Sequence, residues 1–343
     1  MTIRSYRGLI YGPLTLVALV ALVTAAACSS DGTSTAPSSA SGSFPVSIEH
    51  KFGTTEISQE PQRVLSLGYQ EHDVIFAFGV TPIAARYWFG DESDVIFPWA
   101  EDEAGGADPE ILNMSDGINF EKIAALQPDL ILGVYSGMTE RDYELLSQIA
   151  PTVAQTGEYI DYGTPWDVQT LTVGRALGRE DRARELVAAV ETRFEALRRE
   201  HPEFSERSVV VATPPADGPF GTFASEDPRA RFFTSLGFQV PARIDELAGD
   251  SFYATISPER ADLLDADLLV WDQLSYLPGG RAAIEANPLV QQLGATQEGR
   301  VIYLDGDLEY AFAFNTVLSL PFLLDGIEPM LEAATDGDPA TTN

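Results

Sequence analysis

Lysine is almost missing from this chain of 343 residues, which has only Lys51 and Lys122; cysteine is limited to Cys28 and histidine to His50, His72 and His201. Each scarcity excludes something. A single cysteine cannot close a disulfide within the chain. Three scattered histidines fall short of the several ligands that a zinc or manganese receptor converges on one ion. His72 lies in Glu71-His72-Asp73, which reads as capping and dipole complementarity at a helix start, and His201, before Pro202, reads as solvent-facing. Positive charge is scarce overall: 21 Lys+Arg stand against 52 Asp+Glu, a formal charge of −31. Polyphosphate backbones are repelled by such a surface, so nucleic acid is excluded as a partner. The positive charge that remains is almost all arginine, whose planar donors suit oxygen-rich ligands. Catalytic signatures are missing as well. There is no Gly-x-Ser-x-Gly, no phosphate loop and no dinucleotide fingerprint, and neighbouring acids arise by chance among 52. The chain reads as a non-enzyme, with an exported hydrolase as the rival from another class.

What is present begins with Arg4 and Arg7, an apolar stretch from Leu14 to Val23, and then Thr24-Ala25-Ala26-Ala27-Cys28. That order predicts an export signal over 1–27, with an apolar core too short for a comfortable membrane span. The placement of Cys28 after three small residues resembles the lipobox of bacterial lipoproteins, with Ala25 where Leu is usual. The resemblance implies that the thiol is lipidated and becomes the mature N-terminus. Residues 28–43, rich in Ser, Thr, Gly and Pro, predict a flexible tether.

Beyond the tether, short Val/Ile/Leu runs alternate with helical periodicity, which predicts βαβ units and buried parallel strands. Strands are expected at Arg63 to Leu67, Pro82 to Ala85, Leu130 to Val134, Val209 to Ala212, Leu268 to Trp271 and Val301 to Leu304. A helix is expected from His72 to Phe78, stopped at Gly79. A long one is expected from Asp181 to Glu200, with Leu186, Val187, Val190, Phe194 and Leu197 on one face. An internal echo supports two lobes. Asn119-Phe120-Glu121 leads through Asp129 into Leu130, and Ser257-Pro258-Glu259 leads through Asp267 into Leu268. Each reads as N-cap, short helix, turn and buried strand. The fold class is therefore α/β, two Rossmann-like lobes with parallel-rich sheets joined by one long interlobe helix. The expected divisions are an N-terminal lobe over 44–163, a helical linker over 164–203, a C-terminal lobe over 204–335 and a disordered tail over 336–343.

From Phe44 to about Ala334 the chain resembles the substrate-binding components of ABC importers for ferric siderophores, a class shared with cobalamin and haem binders. The matching stretches are Pro61 to Leu67 with Phe78-Gly79-Val80-Thr81-Pro82, the Asn119 to Leu132 unit, Thr255 to Glu259, Asn287-Pro288-Leu289 and Gly299 to Tyr303. The resemblance implies an extracytoplasmic, lipid-anchored monomer that captures a ferric siderophore between its lobes and delivers it to a permease. Fe3+ would travel inside the chelate, with no intrinsic cofactor or metal. It also implies that Glu121 and Glu259, one per lobe, dock on the permease, although each also favours the first turn of its helix. A haem or cobalamin receptor of the same fold is the alternative, with Tyr69 and Tyr135 available as axial ligands.

Ligands of open parallel sheets bind beyond the carboxyl ends of the strands. The residues there are Tyr69, Arg86-Tyr87-Trp88, Tyr135-Ser136 and Trp271. Arg86 is the candidate donor to a chelating oxygen and the aromatics are the candidate walls. Core packing for each aromatic, and a surface ion pair of Arg86 with Asp91 or Glu92, are the alternatives. With Arg86 the one arginine placed there, and Arg231 and Arg243 unplaced, a hydroxamate chelate fits better than an anionic catecholate. A rigid interlobe helix implies a small closing motion.

Overall fold

Residues 44–90, 94–215 and 218–341 are described by the computed structural model; the expected signal, Cys28, the tether, Asp91 and Glu92 lie outside them. The first two strands, β1 (Val46–His50) and β2 (Gly53–Ile57), form an antiparallel hairpin. The N-terminal lobe is built on β3 (Val64–Ser66), β4 (Ala84–Arg86), β5 (Glu110–Leu112), β6 (Leu130–Gly133) and β7 (Thr152–Ala154). Their order is β5-β4-β3-β6-β7 and every pairing is parallel. The C-terminal lobe uses β8 (Val209–Thr213), β9 (Phe220–Phe223), β10 (Tyr253–Ile256), β11 (Leu268–Trp271) and β12 (Val301–Tyr303) in the order β10-β9-β8-β11-β12. There β8, β11 and β12 run parallel, while β9 pairs antiparallel with both β8 and β10. The six strands read from apolar runs are β3, β4, β6, β8, β11 and β12.

Apolar side chains cover both faces of each sheet because strand residues alternate. Val64, Leu130 and Leu132 pack with Val74 and Ile75 of the helix Glu71–Ala77. Leu65 and Ile131, one position on, pack with Ile123 of the helix Phe120–Leu126. The echoed aspartates have matching duties. Asp129 accepts from the backbone N–H groups of Gln62 and Arg63 at 2.8 and 2.7 Å, pinning the start of β3. Asp267 accepts from the N–H and hydroxyl of Ser208 at 2.8 and 2.6 Å, pinning the start of β8. Asn119 caps its helix through the Lys122 N–H, whereas the second unit is a 3-10 segment, Pro258–Leu264, broken at Arg260.

Residues 164–203 hold the helix Trp166–Ala176 and the long helix Glu180–Glu200 of 21 residues, about 30 Å at 1.5 Å per residue. Ala183, Val187, Val190, Phe194 and Leu197 form its buried stripe. Gly174 is where the two helices meet: a Cβ there would lie 2.5 Å from that of Ala183 and 2.8 Å from the Phe78 ring. One apolar cluster spans both lobes. Phe314, at the end of the helix Gly306–Phe314, lies 4.8 Å from Phe97 and 5.3 Å from Trp99 between ring centroids. Residues 336–341, expected to be disordered, fold back so that Pro339 Cα would be 2.9 Å from a Cβ on Gly299.

Candidate functional site

The strand order of each sheet reverses beside its first strand, at β3/β6 in one lobe and β8/β11 in the other, and a crevice opens at such a reversal. In the N-terminal lobe the loops after β3 and β6 are tied together there. The Glu71 carboxylate is buried and accepts from the Tyr135 N–H at 2.5 Å and the Gln70 N–H at 3.3 Å. Burial raises its pKa to about 7 and outweighs those bonds and the nearby charge of Arg86. Gly68 is required here, since a Cβ would fall 1.8 Å from Glu71 Oε2.

Arg86 ends β4 and reaches over this tie. It donates to the Tyr69 hydroxyl at 2.7 Å and to the Ser136 carbonyl at 3.2 Å, and its guanidinium lies 3.8 Å from the Tyr69 ring centroid. Tyr69 lies 5.0 Å from Trp88 and 6.1 Å from Tyr162, which in turn lies 5.5 Å from Tyr135. Tyr135 is buried, and burial pushes its phenol well above the ordinary range. Tyr162 approaches closely because residue 137 is glycine: a Cβ there would be 2.0 Å from the Tyr162 hydroxyl. Outside this layer is an open cleft of about 480 Å³ lined by Tyr87, Trp88, Phe89 and Phe97 from one lobe and by Ser275, Tyr276, Asp307 and Tyr310 from the other. Tyr276 is 62% exposed at its rim.

The C-terminal lobe contributes a buried ionic group. Arg229 lies 3.0 Å from Asp272 and 3.3 Å from Asp227, and 4.4 Å from the Phe223 ring centroid. Burial raises Asp272 to about 7 and Asp227 in the same direction, against the pull of Arg229. Deeper between the lobes, Asp73 accepts from Trp99 Nε1 at 2.6 Å and from the Thr316 hydroxyl at 2.8 Å, bonding one lobe to the other. Burial lifts Asp73 to about 7 and lowers neighbouring His72 to about 4.

Of the residues singled out from sequence, Tyr87 and Trp88 line this cleft, and Tyr69, Arg86 and Tyr135 belong to the layer packed beside Trp88. Trp271 does neither. It is fully buried and packs with Phe220, 5.9 Å away, because strand alternation puts it on the same face as Leu269, under the outer layer of the lobe. Glu71-His72-Asp73 is not a surface cap: all three are buried, and the helix has no side-chain N-cap bond. His201 is not solvent-facing; it stacks on Phe204 at 4.8 Å with 17% of its side chain exposed. Arg231 pairs with Glu226 at 2.6 Å and donates to the Gly163 carbonyl, and Arg243 is bound to the carbonyls of Leu263 and Asp265. Arg229, Tyr162, Phe89, Tyr276 and Tyr310 were missed. A Pro at the first helical position after Asp227 was the visible sign that Arg229 opens a helix. Glu121 and Glu259 are both exposed. Neighbouring Lys122 pairs with Glu110 and Arg260 with Asp262, so neither glutamate enters an ion pair among the described residues. Each opens the segment preceding β6 or β11 and so lies at the sheet edge where the parallel strands end, the edge of the crevice. Among the described residues the grouping that could hold a metal ion is Glu200, His201 and Glu328, none of which lines the cleft. No helix among the described residues is long and apolar enough to cross a membrane.

Comparison with known proteins agrees with this architecture. The profile described as periplasmic binding protein matches residues 64–308. The chain is 30% identical over 291 residues to the ferric-anguibactin-binding protein FatB of Vibrio anguillarum, covering 82% of this chain and 86% of that protein. A periplasmic solute binding protein of Mycobacterium smegmatis superposes with a TM-score of 0.75 at 36% identity, covering 85% of this chain and 99% of that one. PiaA of Streptococcus pneumoniae, in complex with ferrichrome, superposes with a TM-score of 0.72 at 29% identity and the same coverage. These relatives bind solutes and are not enzymes. With two α/β lobes, a long helix and an aromatic crevice between them, the chain belongs to the periplasmic binding protein family.

Proposed function

We propose that this chain is an extracytoplasmic receptor that takes a ferric hydroxamate siderophore into the interlobe cleft and hands it to the permease of an ABC importer. The observation that carries the reading is the cleft: about 480 Å³ with aromatic rings from both lobes, beside a guanidinium that the described residues engage only through a phenol and a carbonyl. A ferric chelate is bulky and partly apolar, with oxygens on its face. Rings cover the apolar part, and Arg86 donates to a chelating oxygen. Tyr87, Trp88, Phe89 and Phe97 form the N-terminal wall, with Tyr69 and Tyr135 packed beside Trp88. Charge favours hydroxamates, since Arg229 is held by Asp227 and Asp272 while Glu309 and Asp307 add negative charge that repels a strongly anionic catecholate. The ferric ligand named for FatB and the ferrichrome bound to PiaA support the siderophore class.

Iron is cargo inside the chelate. Haem is less well served, because the Tyr69 hydroxyl is engaged by Arg86 and the Tyr135 phenol is buried with its ionisation suppressed. Glu121 and Glu259 are proposed as the docking carboxylates, Cys28 as the lipid anchor and the monomer as the working state. The test is tryptophan fluorescence of the protein titrated with ferrichrome, ferrioxamine, ferric citrate, a ferric catecholate, haem and cobalamin. Saturable quenching by a hydroxamate, lost in Trp88→Phe, supports the reading; tighter binding of the catecholate overturns the hydroxamate assignment.

A further inference from the structure

Behind the aromatic cleft is a second chamber of about 40 Å³. Trp88, Phe89, Tyr276 and Tyr310 line both spaces and so stand between them. The inner walls are polar: Arg229, Asp272, Gln273 and Glu309. Size limits what can enter. About 10–15 Å³ of such space holds a water, and a cavity that takes up benzene is roughly 150 Å³. The chamber therefore admits one small head group and excludes an iron-bearing core.

Charge and hydrogen bonding select the head group. One guanidinium, Arg229, faces the two aspartates paired with it, and Glu309 adds a third carboxylate close to Asp272. Glu309 is itself occupied by the Ser275 N–H at 3.1 Å and by the Ser275 hydroxyl. Asp272 is fully buried; its Oδ2 lies 3.0 Å from Arg229 Nε and the Gln273 amide lies near, while its Oδ1 has no hydrogen-bond partner among the described residues. Buried acceptors without donors are costly, and such a group beside a cavity marks the place of a missing donor. An anionic head group would meet the excess of carboxylates, whereas a cationic donor would offset it. Aromatic rings around the opening add electron-rich faces that attract organic ammonium ions.

We propose that this chamber is an ammonium subsite, receiving a protonated primary amine at the end of a flexible arm while the ferric chelate itself stays in the outer cleft. The inference rests on the siderophore reading and narrows it to linear, amine-tailed hydroxamates over cyclic uncharged ones. The arm would pass between Trp88 and Tyr310, with Tyr276 at the rim.

The test is calorimetric titration of the full-length protein with ferrioxamine B, which carries a free amine, and with its N-acetyl derivative, which keeps the chelate and loses the charge. The amine form is expected to bind about tenfold tighter, the worth of one charge-assisted bond. In Glu309→Gln and Asp272→Asn, checked for folding by thermal melting, the ratio of the two affinities should shrink to within about twofold. Tyr276→Ala, at an exposed position, gives the same readout should the buried substitutions fail to fold. Equal binding of the two ligands by the unaltered protein overturns the subsite and leaves the hydroxamate reading intact. Binding of neither overturns the subsite, and binding of neither these two nor ferrichrome overturns the hydroxamate reading with it. A ratio that survives in all three variants overturns the assignment to this chamber.

Discussion

Replacing Gly68 by alanine tests the tie on which the cleft loops depend. The new Cβ would lie 1.8 and 2.0 Å from the two Glu71 carboxylate oxygens. Gly68 is not among the positive-φ residues, so the contact alone is at issue. Relief requires Glu71 to swing aside, breaking its 2.5 Å bond from the Tyr135 N–H and leaving a buried amide without a partner. Overpacking costs about 1–3 kcal/mol and an orphaned buried donor about 1–3 more, about 2–6 kcal/mol together. At roughly 2–4 °C per kcal/mol for a chain of this size, the melting temperature should fall by roughly 5–20 °C. Ligand affinity should fall as well, because Tyr69 follows Gly68 directly. The cycle is closed with Glu71→Ala. In that background the space is empty, and Gly68→Ala should add less than about 1 kcal/mol. Circular-dichroism melting of the four proteins decides it. A melting temperature for Gly68→Ala within about 1 °C of the parent, or additive costs in the double variant, would refute the reasoning.

Arg86→Ala should weaken ferric hydroxamate binding by about 10–100-fold, the range of one charge-assisted hydrogen bond, with Arg86→Lys intermediate; equilibrium titration measures it. Trp271→Phe should destabilise through the cavity it leaves, by less than the roughly 3–5 kcal/mol of a Trp→Ala change, while the dissociation constant stays unchanged because the ring packs away from the cleft. Stability should fall from about pH 5 to pH 8. Glu71, Asp73 and Asp272 are each raised to about 7, so between their unfolded values and that point the folded state holds more protons and loses stability as pH rises. His72, lowered to about 4, acts in the opposite sense up to its unfolded value and offsets only part of the effect. Melting curves across that range should flatten in Asp73→Asn. Glu121→Ala with Glu259→Ala should leave ligand affinity intact and abolish iron uptake in cells; unchanged uptake would remove the docking role.

Five strands could be read from sequence because β3, β6, β8, β11 and β12 are buried along their whole length, which leaves an unbroken apolar run. Strands without such a run escape the reading wherever they sit in the sheet. β5, at the edge of its sheet, begins at exposed Glu110, and β9, Phe220–Phe223, an interior strand, carries Gly and Thr between its aromatics, so neither shows a run. Part of the N-terminal half of the cleft was legible for a related reason: residues following parallel strands come to the crevice, and Tyr87 and Trp88 line the cleft while Tyr69, Arg86 and Tyr135 form the layer beside it. The same rule misplaced Trp271, still inside its strand, where alternation rather than strand end decides the direction of the side chain. Arg229 and Tyr310 come from helices after β9 and β12, farther along the chain than strand-end reasoning reaches. His72 and Asp73 are buried against Phe314 and Thr316, more than two hundred residues away, and Glu71 against the loop of Tyr135, and no local pattern records it.

The most direct measurement is the position of iron in crystals of the protein grown with a ferric hydroxamate, located by anomalous scattering at the iron edge. The account predicts one iron in the interlobe cleft, its chelate against Trp88, Tyr276 and Tyr310, with the Arg86 guanidinium in hydrogen-bond reach of a chelating oxygen. Iron outside this cleft, or a chelate within it that Arg86 does not touch, would contradict it.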